Sequence, residues 1–259
     1  MPLSGKPGPG VAVPAAVRRL AGGRQIRPVW LNQAGGLTVE AGDGQDRCFI
    51  KWSAAGDFSA EAARMAWAAP FAPVPRVLGC GRDDDGWWLV TAPLPGLSAV
   101  APRWKAEPAT AVTAIGAGLR ALHDTLPAAS CPFSWQARER LSRAGHLDPG
   151  SWHPVHRQLS VAEALAIAAD PPPADGAPVV CHGDACAPNT LIGDDGRWTG
   201  HVDLARLGVA DRWADIAVAS WSVGWNYGPG WERALLDAYG TGPDPERTRY
   251  YRLLYDLAD

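Results

Sequence analysis

Long apolar runs and a surplus of positive charge are both missing from this sequence of 259 residues. No stretch approaches the 18 or more uninterrupted apolar residues that predict a membrane-spanning helix, so we expect no membrane segment. The first residues contain no basic stretch followed by an apolar one, and we therefore expect no secretory signal. With 24 Lys and Arg against 27 Asp and Glu, the net charge of −3 argues against a general nucleic-acid-binding protein.

Cysteine and lysine are also scarce. The five Cys residues form an odd set without a CxxC pair, at positions 48, 80, 131, 181 and 186. Such a set is typical of reduced thiols rather than of disulfides or a zinc site, and it predicts a cytoplasmic protein. Because only three of the 24 cationic residues are Lys, Lys51 inside an apolar run is conspicuous.

The composition that remains is globular, with 47% hydrophobic and 20% charged residues. The length suffices for one large domain or two smaller ones. Charge is distributed unevenly, since residues 184–259 hold 7 Arg against 12 Asp and Glu. An acidic segment of this kind attracts a cationic small molecule, although an ordinary solvated surface has the same composition.

The apolar pattern divides the chain into two parts. Residues 1–26 are rich in Gly, Pro and Ala and predict a loose lead-in with one short helix around Val11–Leu20. Short apolar runs between Gly and Asp clusters then predict antiparallel strands, with one Ala-rich helix near Ser59–Ala69. Beyond residue 92 helical spacing dominates. We therefore predict an α+β fold with an N-terminal part over 1–92 and a C-terminal part over 93–259.

The strongest motif places an Asp, an Asn and a second Asp at the spacing that phosphoryl transfer uses. Asn189 follows Asp184 by five residues, and Asp203 follows it by nineteen, at the end of a short apolar strand. In such a site one carboxylate accepts the proton of the attacking hydroxyl, while the amide oxygen and the second carboxylate hold Mg²⁺ on the nucleotide phosphates. Ordinary loop acids and turn formers would give the same dipeptides, but not the joint spacing with His182.

These segments resemble the aminoglycoside phosphotransferases, in the branch that modifies 3′- or 3″-hydroxyl groups. The similarity is carried by His182–Asn189, by Val202–Ala217 and by Tyr250–Leu254, and it extends from the region of Arg27 to the C-terminus. The resemblance implies a bilobal protein-kinase-like fold with a small antiparallel-sheet N-lobe, which binds the nucleotide, and a larger, mainly helical C-lobe. It also implies transfer of the γ-phosphoryl group of ATP or GTP to an aminoglycoside, which gives antibiotic resistance, by a monomer or weak dimer.

The resemblance assigns further roles residue by residue. Asp184 would be the base or orienting carboxylate, and Asn189 and Asp203 the Mg²⁺ ligands. Asp215 would brace the catalytic loop. The remaining assignments are Lys51 on the nucleotide phosphates, Glu61 as its partner, Gly35 and Gly36 in the nucleotide-covering loop, Val90 and Ala92 in the segment that binds the base, and Arg206 near the phosphates.

Two regions depart from the family pattern. The covering loop lacks the usual leading Gly and following Ser, and the C-terminus is one residue longer and more polar. Asp256 keeps an acid where the family holds drug ammonium groups, and Asp259 adds another, so both are expected to bind the acceptor.

Two other functions remain open from the sequence. A kinase of another small cationic metabolite or peptide antibiotic would keep all the phosphoryl-transfer residues and differ only in the acceptor pocket. A catalytically silent nucleotide-binding module is the other alternative, suggested by the altered covering loop.

Overall fold

The computed structural model describes residues 5–8, 10–32, 35–135, 141 and 147–257. The chain divides into two compact units, the first ending at Leu94 and the second beginning at Pro95. This division lies two residues beyond the boundary expected from the sequence.

The first unit is built on a five-stranded antiparallel sheet. Its strands are β1 (Ile26–Leu31), β2 (Leu37–Ala41), β3 (Cys48–Ser53), β4 (Val77–Asp83) and β5 (Gly86–Thr91), in the spatial order β1-β2-β3-β5-β4. Helix α2 (Ser59–Ala68) follows β3. Alternation along the strands buries Val39 and Ile50 completely, as expected for a sheet with one covered face.

Part of the predicted lead-in is packed rather than loose. Helix α1 (Ala15–Ala21) buries Val17 and Ala21 in the same apolar cluster as β2 and β3. It begins directly after Pro14, because a proline has no N–H to donate inside a helix but is tolerated at its start.

The second unit is mainly helical. Its helices are α3 (Pro102–Ala106), α4 (Pro108–Thr125), α5 (Val161–Ala169), α6 (Trp213–Tyr227), α7 (Glu232–Tyr239) and α8 (Pro245–Leu257). Two small antiparallel sheets accompany them. Their strands are β6 (Leu97–Ser98), β7 (Val179–Cys181), β8 (Thr190–Ile192), β9 (Trp198–His201) and β10 (Gly208–Ala210), ordered β6-β8-β9 and β10-β7.

Two apolar clusters form the interior of this unit. One lies among α3, α4, α6 and α7, and the other among α5, α8, β7 and the indole rings of Trp135 and Trp152. Gly116 lets α4 approach α7 closely, because a Cβ there would lie 2.7 Å from the carbonyl oxygen of Leu235. The predicted α+β class, with an antiparallel N-terminal sheet and a helical C-terminal part, is confirmed. None of the helices in the described ranges is both long and apolar enough to cross a membrane.

Candidate active site

The predicted catalytic loop connects β7 to β8 and spans residues 182–189. A short 3₁₀ helix, Ala187–Asn189, ends the loop. Gly183 has a positive φ of 83°, and a Cβ there would lie 2.7 Å from the carbonyl carbon of Arg206 and closer still to its oxygen. Only glycine therefore allows the loop to pack against the chain that follows Asp203.

The loop is fixed by one fully buried carboxylate, that of Asp215 on α6. Its two oxygens accept the backbone N–H groups of His182 at 2.6 Å and Gly183 at 2.8 Å. His123 of α4 contacts the same carboxylate at 3.0 Å and turns its other ring nitrogen to the hydroxyl of Tyr239 at 2.8 Å. The bracing role predicted for Asp215 agrees with these contacts.

Electrostatics keep this carboxylate charged. Burial by itself raises the pKa of Asp215, but the hydrogen bond and charge of His123 and the N–H of Gly183 bring it below the ordinary value. A buried carboxylate with this many donors is satisfied, so it orders the loop instead of destabilising the core.

His182 joins the loop to the strand that precedes Asp203. Its Nε2 lies 2.9 Å from the carbonyl oxygen of Val202, and its Nδ1 accepts the N–H of Asp184 at 3.3 Å. A carbonyl only accepts, so the ring is the neutral tautomer protonated at Nε2.

The three motif residues lie on connected backbone. Asn189 Nδ2 donates to the carbonyl oxygen of Asp184 at 3.0 Å and lies 3.5 Å from Asp184 Oδ2. The N–H of Val202 donates to the carbonyl oxygen of Asn189 at 2.9 Å. Asp203 directly follows Val202, so this hydrogen bond links the segment of Asp203 to that of Asn189. Asp203 has φ of +66°, alone among the described non-glycine residues. A left-handed residue costs about 1–3 kcal/mol and is typical of functional sites.

The donor set suits a hard cation. Because Asn189 Nδ2 is hydrogen-bonded to Asp184, its amide oxygen is the group left to face a ligand. That oxygen and the half-buried carboxylate of Asp203 are the ligand types that Mg²⁺ prefers.

A second group of metal-type side chains, His123, Cys181 and Asp215, lies buried within 4.8 Å. The ring and the carboxylate of this group already bind each other, and burial and the charge of Asp215 raise the pKa of the Cys181 thiol well above its usual value. These three residues are therefore structural.

In the first unit the structure brings Lys51 and Glu61 together. Lys51 Nζ, on β3, lies 2.6 Å from Glu61 Oε1 in the first turn of α2. The Glu61 side chain is 4% exposed and the Lys51 side chain 21% exposed, so the carboxylate is buried while the lysine side chain keeps some access to solvent. The carboxylate thus holds an extended lysine in one direction.

Gly35 and Gly36 form the turn between β1 and β2. Gly35 has φ of +79°, and the N–H of Gly36 donates to Asn32 Oδ1 at 2.7 Å. A Cβ on Gly36 would lie 2.6 Å from Asn32 Nδ2, so a side chain there would displace the Asn32 amide that accepts the Gly36 N–H. Residues 33 and 34 of this loop are outside the described residues.

Val90 and Ala92 lie in and directly after the sheet. Val90 is inside β5, opposite Ile50 of β3 on one side and Gly79 of β4 on the other. The N–H of Ala92 donates to the carbonyl of Arg76 at 2.9 Å. This N–H is therefore engaged within the first unit.

Of the two acids expected to bind the acceptor, Asp256 lies among the described residues. Asp256 of α8 is 2.6 Å from His156 Nδ1 and accepts the backbone N–H of His153 at 3.1 Å. Its carboxylate thus ties residues 153–156 to α8. The sequence offers no signal for this pairing across 100 residues. Asp259 lies outside the described residues.

Two further side chains lie near the loop. The guanidinium carbon of Arg206 is 6.0 Å from the centroid of the Tyr255 ring, at the range limit of a cation–π contact. The hydroxyl of Tyr255 is 3.3 Å from Asp184 Oδ1. Sequence reasoning identified Arg206 but missed Tyr255, because no local pattern relates residues 71 positions apart.

Comparison with known proteins gives a consistent result. The model of the phosphotransferase enzyme family matches residues 37–251. An aminoglycoside 3′-phosphotransferase of Streptomyces fradiae is 37% identical over 76% of this chain and 78% of its own length. A streptomycin 3″-kinase of Streptomyces griseus is 34% identical over 96% of this chain and 97% of its own.

A solved structure agrees with these relatives. The aminoglycoside phosphotransferase APH(3″)-Id of Streptomyces rimosus, in complex with ADP and streptomycin, superposes with a TM-score of 0.67 at 28% identity, over 93% of this chain and 96% of that one. The matches span nearly the whole chain, including both units and the loop braced by Asp215. The chain is a member of the aminoglycoside phosphotransferase family, a family of kinases.

Proposed function

We propose that the chain transfers the γ-phosphoryl group of ATP or GTP to a hydroxyl of an aminoglycoside antibiotic and so confers resistance. The observation that supports this most is the Asp184–Asn189 contact on a loop that Asp215 and His182 hold in place. The family membership and the streptomycin and ADP bound to its structural neighbour support the same reaction.

Asp184 is the group proposed to act on the acceptor. Its carboxylate would accept the hydrogen bond of the acceptor hydroxyl and take its proton as the new oxygen–phosphorus bond forms. The bond from the γ-phosphorus to the bridging oxygen breaks in the same displacement, and the electron pair leaves with the nucleoside diphosphate. Little covalent chemistry falls to the protein, so the rate depends on how well Asp184 is positioned.

Asn189 and Asp203 are proposed to hold Mg²⁺, through the amide oxygen and the carboxylate. When bound, the cation neutralises charge on the nucleotide phosphates. The positive φ of Asp203 supports this role, since strained backbone at a non-glycine residue is concentrated at functional sites.

In the first unit, Lys51 is proposed to bind the nucleotide phosphates, with Glu61 fixing its direction. Gly35 and Gly36 would let backbone approach the phosphates, in addition to forming their turn. The base would hydrogen-bond to backbone in the segment of Val90 and Ala92, through groups other than the N–H that Arg76 engages. Arg206 of the second unit would stabilise charge on the transferred group.

Acceptor recognition is proposed to rest on acidic side chains of the second unit. Asp256 is already the partner of His156 and of the His153 N–H, so a drug ammonium group would share this carboxylate rather than find it free. Asp259 is the other acid proposed for this role.

The test is a transfer assay on the full chain with ATP and GTP labelled at the γ-position. The panel includes kanamycin, neomycin, streptomycin, choline and a basic peptide antibiotic. We expect label in an aminoglycoside, and mass spectrometry with ³¹P NMR to locate it on one hydroxyl. Label only in choline or the peptide would replace the proposed acceptor class.

Nucleotide binding without any labelled product would instead support a silent binding module. Resistance is tested separately, by the minimum inhibitory concentration of each aminoglycoside in a susceptible host. The intact chain should raise that concentration, and the Asp184→Ala variant should not.

A further inference from the structure

Tyr255 lies against the proposed catalytic carboxylate although nothing in the motif includes it. Its hydroxyl is 3.3 Å from Asp184 Oδ1 and 3.6 Å from the Sγ of Cys186. An ionised carboxylate has no proton to donate, so the phenol must be the donor in the first contact.

The helix that bears Tyr255 is firmly anchored. On α8, Leu253, Leu254 and Leu257 are buried in the apolar cluster that also contains Trp135 and Trp152. The loop end of the contact is equally fixed, because Ser222 Oγ accepts the N–H of Ala187 at 2.8 Å. Both groups therefore meet without further ordering, which is what an efficient positioning contact requires.

We propose that Tyr255 is a positioning residue for phosphoryl transfer, which holds one carboxylate oxygen of Asp184 by a hydrogen bond so that the other faces the acceptor hydroxyl. This inference rests on the proposed function of Asp184. It predicts an effect on the chemical step rather than on either substrate's binding, since Tyr255 acts through Asp184.

The test compares Tyr255→Phe with Tyr250→Phe. Both changes remove one hydroxyl from α8, but Tyr250 donates to the carbonyl of Ala168 at 3.1 Å and has no contact with the loop among those described. We expect Tyr255→Phe to lower kcat about tenfold, equivalent to about 1.4 kcal/mol of barrier, with the KM for nucleotide and acceptor within about twofold. Tyr250→Phe should leave kcat unchanged.

Three results would overturn the inference. The first is an unchanged kcat in Tyr255→Phe. The second is an equal fall of kcat in both variants that follows their melting temperatures. The third is a raised acceptor KM with normal kcat in Tyr255→Phe, which would place Tyr255 against the acceptor instead. If the wild-type chain transfers phosphoryl normally while Tyr255→Phe does so equally well, only this inference fails.

If the wild type transfers no phosphoryl group, the proposed function fails. The hydrogen bond between Tyr255 and Asp184 is then tested by NMR instead. In protein labelled with ¹³C at the Asp carboxyl groups, the Asp184 resonance should move in Tyr255→Phe and stay in Tyr250→Phe. No movement in either variant would rule out the hydrogen bond.

Discussion

The two units hold their proposed functional side chains in different ways. In the first unit, an ion pair between a strand and a helix joins Lys51 to the buried carboxylate of Glu61. In the second, Asp215, His123 and His182 form a buried network that fixes the loop through backbone N–H groups. We infer that a substitution at Lys51 can impair phosphoryl transfer with little loss of folding stability. A substitution in the Asp215 network is expected to impair both.

The largest effect is expected from Asp215→Asn. The amide would present a donor to the N–H of His182 or Gly183, so we expect the free energy of unfolding to fall by about 3 kcal/mol or more. Transfer should be lost with it. Urea denaturation and turnover on one preparation measure both, and Asp237→Asn, an exposed acid on α7, is the control that should change little. Normal stability with lost transfer would contradict the inferred difference between the two units.

Lys51→Met should separate the two properties in the first unit. We expect kcat/KM for the nucleotide to fall about 100-fold, or about 2.7 kcal/mol, because a phosphate contact is lost. The melting temperature should move far less than in Asp215→Asn. Lys105→Met, at an exposed position on α3, provides the matched loss of charge. A large drop in stability with little kinetic change would mean that Lys51 is structural.

Gly183→Ala tests the close approach of the loop to Arg206. The control is Gly240→Ala, because Gly240 has a similar φ of +87° but its Cβ would meet only Arg120 Nη1 at 3.8 Å. Backbone strain costs about 1 kcal/mol in both, and we expect the clash to cost Gly183→Ala about 2 kcal/mol more, with reduced turnover. Equal losses of stability in thermal unfolding would show that the loop shifts to accommodate the added Cβ at little cost.

The smallest effect concerns pH. Burial is the largest cause that lowers the pKa of His201 well below 6.5. Below pH 6.5 the unfolded chain therefore binds a proton at this residue that the folded chain does not bind. The free energy of unfolding should decline as pH falls from 6.5 toward the pKa of His201 in the folded chain. His201→Gln, which keeps an acceptor for Trp198 Nε1, should show a shallower decline in denaturation between pH 7 and pH 5. Parallel curves would mean that His201 titrates normally.

The difference between the two units also explains which features could be predicted from the sequence. The strands of the first unit follow from local alternation, and Lys51 was marked as one lysine in an apolar run, whereas its pairing with Glu61 followed from the family resemblance. The motif spacing around Asp184 also identified the loop, and the position of Asp215 followed from the family resemblance.

Other contacts depend on packing that local patterns do not encode. The engagement of Asp256 by His156 and the contact of Tyr255 with Asp184 each join distant segments through α8, which is positioned by its buried leucines. The burial of α1 was missed because its short Ala-rich stretch lies among Gly and Pro residues that suggested a loose segment. The N–H of Ala92 is engaged because the β4–β5 pairing continues one residue beyond Val77 and Thr91, to Arg76.

The central claim is that Asp184 acts on the acceptor hydroxyl and not on nucleotide binding. The most direct measurement is phosphoryl transfer and nucleotide affinity on one preparation of Asp184→Ala. Transfer to the aminoglycoside that the wild type uses should fall by about 10³-fold, while the nucleotide Kd stays within about threefold of the wild type. Turnover at the wild-type rate in that variant would contradict the account.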